Sequence, residues 1–136
     1  MQLLLVYALG IHVYVVKNNY FHRSMSLKLL QQLDSHEERV WSLSWNPTGS
    51  LFASCGGDKT IKIWGKGGDD WVCKSSLSAQ HNRTVRSVTW SPCGNLLAAA
   101  SFDSTVSIWD RSNGEFECIS TLEGLCLFLG FPGNCV

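Results

Sequence analysis

The chain has 136 residues, eleven basic and eleven acidic side chains, a formal net charge of zero and a hydrophobic fraction of 45%, which is ordinary for about one globular domain. Balanced charge supplies no broad cationic field and so argues against nucleic acid or an anionic membrane as partner. The six cysteines (Cys55, Cys73, Cys93, Cys118, Cys126 and Cys135) include no C-x-x-C pair and no histidine at ligand spacing, so they read as buried free thiols in a reducing compartment, with no metal site expected.

In chain order, the apolar run Leu3–Val16 first raises a signal peptide or a membrane span. It lacks a basic flank and a small-residue cleavage site, contains Gly10 and His12, and is shorter than the roughly 20 residues a spanning helix needs. It reads as an upstream extension in which GIHVYVV can pair as a strand. LKLLQQL (27–33) reads as a further strand. VWSLSW then alternates in the period-two manner of a strand. NPTG carries proline and glycine placed to reverse the chain, and SLFASC is a short apolar run suited to a buried central strand. GGDKT turns the chain again, TIKIW is a third strand, and WVCKSSL (71–77) a fourth, outer one.

The same series then recurs. HEERVWSLSWNPTGSLFASCGGDKTIKIW, beginning at His36, aligns without a gap on HNRTVRSVTWSPCGNLLAAASFDSTVSIW, beginning at His81, at a shift of 45 residues. Trp45 falls on Trp90, Pro47 on Pro92, Gly49 on Gly94, Asp58 on Asp103 and Trp64 on Trp109. FECISTL (116–122) repeats the outer strand. A period of about 40–45 residues ending in tryptophan is the signature of a propeller blade. The expected fold is all-β: a WD-repeat β-propeller fragment of two four-stranded antiparallel blades plus an N-terminal strand, with the ring not closed.

In WD-repeat proteins, which these segments resemble, a buried His–Ser/Thr–Asp–Trp chain of hydrogen bonds ties loop, turn and third strand together. The resemblance assigns His36, Ser54, Asp58 and Trp64 to this network in the first blade, and His81, Asp103 and Trp109 in the second. Read instead as a catalytic dyad, His36 and Asp58 would lack a nucleophile, and the pair recurs with the repeat as a structural device does. No catalytic residue is expected. Ala99 stands where the first blade has Ser54. Ser101, two residues on, is the candidate substitute, which implies a weaker second network.

A narrower resemblance rests on the pieces that blade chemistry does not require: CGGD followed by IWG, the H-x-RTVR lead-in, SPCGN, ASFD, and FEC before TLEG. Over about Leu27–Gly124 the chain resembles the first two blades of the cytosolic iron–sulfur assembly WD-repeat family. That resemblance implies a scaffold working beside a HEAT-repeat subunit and a small adaptor to deliver [4Fe–4S] clusters to cytosolic and nuclear apoproteins. It implies no cofactor held on these blades, and a cytoplasmic location with the nucleus as a second one. Two other readings compete: a generic WD-repeat adaptor in ubiquitin ligation or transcription, and a metal carrier or enzyme using the cysteines.

The family pattern begins near Met25 and calls for a histidine after TLEG, where this chain reads LCLFLGFPGNCV. The expected organisation is therefore a divergent extension (1–24), a strand that would complete the last blade of a full ring (25–35), two blades (36–80 and 81–124) and a divergent tail (125–136). Such a tail is what an alternative exon or retained intron would produce in a truncated form. Two blades fall short of the three units repeat arrays generally need, so self-association through open blade edges is expected. Partners should dock where the lead-in loops and inner turns converge. Arg39, Trp41, Lys59, Arg83, Arg86 and Ser104 form the candidate surface, since tryptophan and arginine dominate interface hot spots. The sequence supports equally a Trp41 that packs against a neighbouring blade.

Overall fold

A computed structural model describes residues 3–21, 24–78 and 80–124. The described residues form eleven strands in three antiparallel sheets. The tail expected from Leu125 onward, with Cys126 and Cys135, lies outside them. The second sheet is a meander of β4 (Val40–Trp45), β5 (Leu51–Gly56), β6 (Ile61–Gly67) and β7 (Asp70–Leu77). The third repeats it with β8 (Val85–Trp90), β9 (Leu96–Ser101), β10 (Thr105–Asp110) and β11 (Glu117–Glu123). The NPTG and SPCG segments close the first hairpin of each. Gly49 (φ 72°) and Gly94 (φ 77°) adopt the left-handed conformation that side chains disfavour. Asn46 accepts the Gly49 N–H on its carbonyl and the Leu51 N–H on its side-chain oxygen, both at 3.0 Å. Ser91 does the same for Gly94 at 2.9 Å and Leu96 at 3.0 Å.

Where the sequence led us to expect one N-terminal strand, the structure has a three-stranded sheet, the first in chain order. β1 (Leu3–Leu9) and β2 (His12–Phe21) form a hairpin, and β3 (Ser24–Leu33), which contains LKLLQQL, pairs with β2. The physical reason is the apolar alternation of GIHVYVV: Val13 and Val15 are fully buried with Leu33 against Phe52, Trp64 and Trp71 of the second sheet. Gln31 joins the outer strands, accepting the Trp71 N–H and donating to its carbonyl, each at 2.8 Å.

This first sheet is built as a blade without its innermost strand. A bulge interrupts β2–β3 between Val15 and Val16, β6–β7 between Ile63 and Trp64, and β10–β11 between Ile108 and Trp109. The pairs Val13–Leu33, Ile61–Leu77 and Val106–Leu122 stand at the same place relative to that bulge. β2 therefore corresponds to β6 and β10, β3 to β7 and β11, and β1 to β5 and β9. In keeping with this, β1 lies against β4 as β5 lies against β8. The packing of β4 beside β8 has no counterpart beside β1 among the described residues.

The second interface buries Ala53, Cys55, Ile61 and Ile63 of one sheet against Val85, Val88, Leu97, Ala99 and Trp109 of the next. Trp90 adds a polar tie, its indole N–H donating to the Ser44 carbonyl at 3.2 Å. Trp71 packs edge-on to Trp45 as Phe116 packs edge-on to Trp90. Unlike Phe116, Trp71 buries an indole N–H that has no acceptor among the described residues, a loss of about 1–3 kcal/mol. Trp71→Phe should therefore cost little, because it removes that orphan. Trp64→Phe, which strips a bonded N–H, should cost about 2 kcal/mol more. Urea unfolding of the two variants measures the difference, and equal midpoints would contradict it.

Candidate functional site

At one end of the second sheet, the loop before β4 places His36 beside the β5–β6 turn. His36 is buried, as is Ser54 at the centre of β5. The Trp64 indole N–H donates to Ser54 Oγ at 2.9 Å, and Ser54 Oγ lies 2.7 Å from His36 Nε2. On its other side, His36 Nδ1 lies 2.8 Å from Asp58 Oδ2. With a carboxylate there, Nδ1 carries the proton, so Nε2 accepts from the Ser54 hydroxyl. Each group then donates once and the chain runs in a single sense from Trp64 to Asp58. Asp58 also accepts the Glu37 N–H at 3.1 Å and the Thr60 hydroxyl at 2.8 Å. Gly56 is required here for lack of room, since a Cβ would come within 2.8 Å of the Arg39 carbonyl oxygen and 3.3 Å of His36 Nδ1.

The third sheet builds the same relay differently. Ser107 on β10, not Ser101, supplies the hydroxyl. It lies 2.8 Å from His81 Nε2 and accepts the Trp109 indole N–H at 2.9 Å. Ser101 is engaged elsewhere, donating to the Arg83 carbonyl at 3.1 Å and accepting the Asp103 N–H at 3.2 Å. Ser107 pairs across the ladder with Ala99, as Lys62 pairs with Ser54. The hydroxyl has thus moved one strand over on the same face. The histidine-to-carboxylate link is also longer, 3.5 Å to Asp103 Oδ2. Thr105 relays it, lying 3.0 Å from His81 Nδ1 and donating to Asp103 at 2.5 Å. The sequence reading missed Ser107 and Thr105; the alignment of Ser107 with Lys62, cross-strand from the deleted hydroxyl, is the signal that points to it.

Burial lowers the pKa of both histidines below the usual value of 6.5, against the opposing pull of Asp58 and Asp103. Burial, the largest single influence, would raise the two carboxyls. Hydrogen bonds from Thr60 and Thr105, together with the neighbouring histidines and the Glu37 and Asn82 N–H groups, outweigh it and hold them below 3.8. Neutral imidazoles beside carboxylates match the proton positions assigned above.

On the exposed side of this end, two bulges aim the candidate contact residues outward. Val40 pairs with Gly56 and Ser42 with Cys55, so Trp41 is the extra residue of β4. Arg86 is likewise the extra residue of β8, between Val85 and Ser87. Bulges redirect side chains out of the ladder. Trp41, 37% exposed, has two guanidiniums over its ring, Arg39 at 4.6 Å and Arg86 at 4.9 Å from the ring centroid. The stack links two sheets while leaving the tryptophan open to solvent. Of the other candidates, Arg83 donates to the Phe102 carbonyl at 3.3 Å. Lys59 (φ 66°) and Ser104 (φ 67°) occupy the equivalent left-handed turn positions. Glu37 and Glu38 are exposed on the same loop as Arg39, so the rim carries both signs of charge.

The WD domain, G-beta repeat family matches residues 27–65 and 71–110, more than half of the chain. The chain belongs to the WD-repeat family. It is 62% identical over 59 residues to the Xenopus tropicalis "Probable cytosolic iron-sulfur protein assembly protein ciao1", a stretch that is 43% of this chain and 18% of that protein. The Homo sapiens "Probable cytosolic iron-sulfur protein assembly protein CIAO1" is 59% identical over 59 residues, 43% of this chain and 17% of that protein. The Nematostella vectensis homologue is 62% identical over 45 residues, 33% of this chain and 14% of that protein. The chain thus spans less than a fifth of the length of the relatives it matches.

The WD repeats do not bury all their thiols. Cys55 is buried and its pKa is pushed by burial to about 12. Cys73 and Cys93 are exposed and Cys118 is half-buried, which corrects the expectation of uniformly buried cysteines. Cys55 lies on the inner strand β5, Cys73 and Cys118 on the outer strands β7 and β11, and Cys93 in the β8–β9 turn.

Two outcomes follow from the relays. Ser107→Ala should destabilise the fold by about 1–3 kcal/mol, as Ser54→Ala should, because each strands a buried indole N–H. Adding Ala99→Ser to the Ser107→Ala variant should recover most of the loss by restoring the hydroxyl at the position used in the second sheet. Urea denaturation of the three variants decides it. For pH, both histidines are depressed, so their contribution is complete above 6.5 and is lost as pH falls through the folded values. The depressed carboxyls add a further loss below 3.8. The melting temperature, followed by tryptophan emission, should be flat above neutrality and fall on acidification. A rise between pH 7 and 5 would contradict the neutral relay.

Proposed function

We propose that this chain is a non-catalytic protein-interaction scaffold in the assembly of cytosolic iron–sulfur proteins. The family and the relatives' printed names support the pathway. The observation that carries the interaction role is the solvent-open Trp41 with the guanidiniums of Arg39 and Arg86 over its ring on the rim. Burying a large aromatic that already carries two guanidiniums over its ring suits a hot spot, because the stacking restricts the arginine rotamers before a partner arrives.

In this reading the [4Fe–4S] cluster is cargo, passed to cytosolic and nuclear apoproteins, and the chain holds no cofactor of its own. By family resemblance its partners are a HEAT-repeat subunit and a small adaptor, and its locations are the cytoplasm and the nucleus. The relays serve the rim indirectly: His36 and Asp58 hold the loop that carries Arg39, while Asp103 accepts the Asn82 N–H at 2.8 Å beside Arg83.

The test uses purified HEAT-repeat and adaptor subunits of the iron–sulfur targeting machinery, with this chain immobilised. Binding should be retained by the unchanged chain. Trp41→Ala should weaken it by about 2 kcal/mol, roughly thirtyfold, with little change in melting temperature. No binding by the unchanged chain, or equal binding by the variant, would remove this assignment.

A further inference from the structure

Given that the rim around Trp41 is a contact surface, we infer that it takes an acidic segment of a protein partner, whose side-chain carboxylates engage Arg39 and Arg86 beside the exposed tryptophan. Both guanidiniums lack a counter-ion. Every ion pair among the described residues joins a histidine to an aspartate, and none involves an arginine or a lysine. Of the rim cations, Arg83 donates to the Phe102 carbonyl at 3.3 Å. Arg39 and Arg86 stand over the Trp41 ring instead, and among the described residues their N–H groups find no acceptor.

The chain's own acids at this end are committed elsewhere. Asp58 is bonded to His36, the Glu37 N–H and the Thr60 hydroxyl. Asp103 accepts the Asn82 N–H and both the N–H and the hydroxyl of Thr105. Either could reach an arginine only by giving up its relay. Glu38 is folded back on the inner turn, where a Cβ on Gly57 would come within 2.6 Å of its Oε2.

A guanidinium stacked on an aromatic ring uses its face and keeps its N–H edge free. That edge matches a carboxylate in bidentate fashion. The bulges at Trp41 and Arg86 place both side chains outside their ladders in successive sheets, so a carboxylate can approach without disturbing a strand. With Glu37 and Glu38 exposed alongside, the cations form a local pair. A pair suits a few carboxylates, whereas a run of phosphates needs a continuous basic groove.

Fluorescence polarisation with a labelled peptide of repeated Gly-Glu-Leu-Glu units, amidated at its C-terminus, tests this on the unchanged chain. The acidic peptide should bind about tenfold more tightly than the same peptide with glutamine for glutamate. That comparison depends on no variant folding. Arg39→Gln and Arg86→Gln should each weaken acidic binding about tenfold, and Arg86→Lys less, since lysine keeps the charge without the fork. Arg111→Gln removes equal charge at the other end of the third sheet, where the Arg111 N–H meets the Asn95 carbonyl, and should leave binding unchanged. Equal binding of the two peptides, no binding of either, or an Arg111→Gln loss matching that of the rim variants would overturn the carboxylate site. So would a duplex DNA oligonucleotide, or a glutamine peptide with a free C-terminus, that binds as tightly as the acidic peptide. Failure of the HEAT-repeat and adaptor subunits to bind removes the pathway and leaves this site, whereas failure of the acidic peptide removes this site and leaves the pathway.

Discussion

Everything in this molecule follows from the fact that its sheets are apolar on both faces. Phe52 and Trp64 point to one side of the second sheet, and Ala53, Cys55, Ile61 and Ile63 to the other. A sheet of that kind cannot stand in water with either face bare. The second sheet satisfies the requirement by lying between two neighbours. One of them is built largely from a segment outside the repeat, whose valines and leucine complete the aromatic cluster of Phe52, Trp64 and Trp71.

The polar relays answer a second constraint, imposed by that same burial. A tryptophan that fills an inter-sheet space brings an indole N–H with it, and a buried N–H without an acceptor is costly. Trp64 and Trp109 both resolve this through a hydroxyl and a histidine, ending on a carboxylate that also caps the inner turn. The relay tolerates the transfer of its hydroxyl from one strand to the next because cross-strand partners share a face at close range. Trp71 has no such relay. Its position is held by packing and by the two main-chain bonds from Gln31.

The rim inherits its geometry from both. Asp58 bonds the loop before β4 to the β5–β6 turn, and bulges at Trp41 and Arg86 turn those side chains out of their ladders. Arg86 belongs to the third sheet and Arg39 and Trp41 to the second, so the stack depends on the distance between sheets as well as on local backbone. Candidate contact residues that the sequence groups together are thereby divided. Three form one stack, Arg83 is drawn to the Phe102 carbonyl, and Lys59 and Ser104 mark paired turns.

The eight strands of the two repeats, their turns, and the histidine, aspartate and tryptophan columns could all be read from the chain alone. They follow from period-two alternation and a 45-residue repeat, both local properties of the sequence. Ser107 could not be found that way with certainty, since identifying it requires the ladder register that puts it opposite Ala99. Nor could the first sheet: Leu3–Val16 is apolar in sequence, and only packing against Phe52 and Trp64 makes it a hairpin of a third blade. The sequence determined what each segment can form. Which faces meet, which hydroxyl reaches the histidine and which arginine reaches Trp41 were decided by inter-sheet distances, which no local pattern encodes.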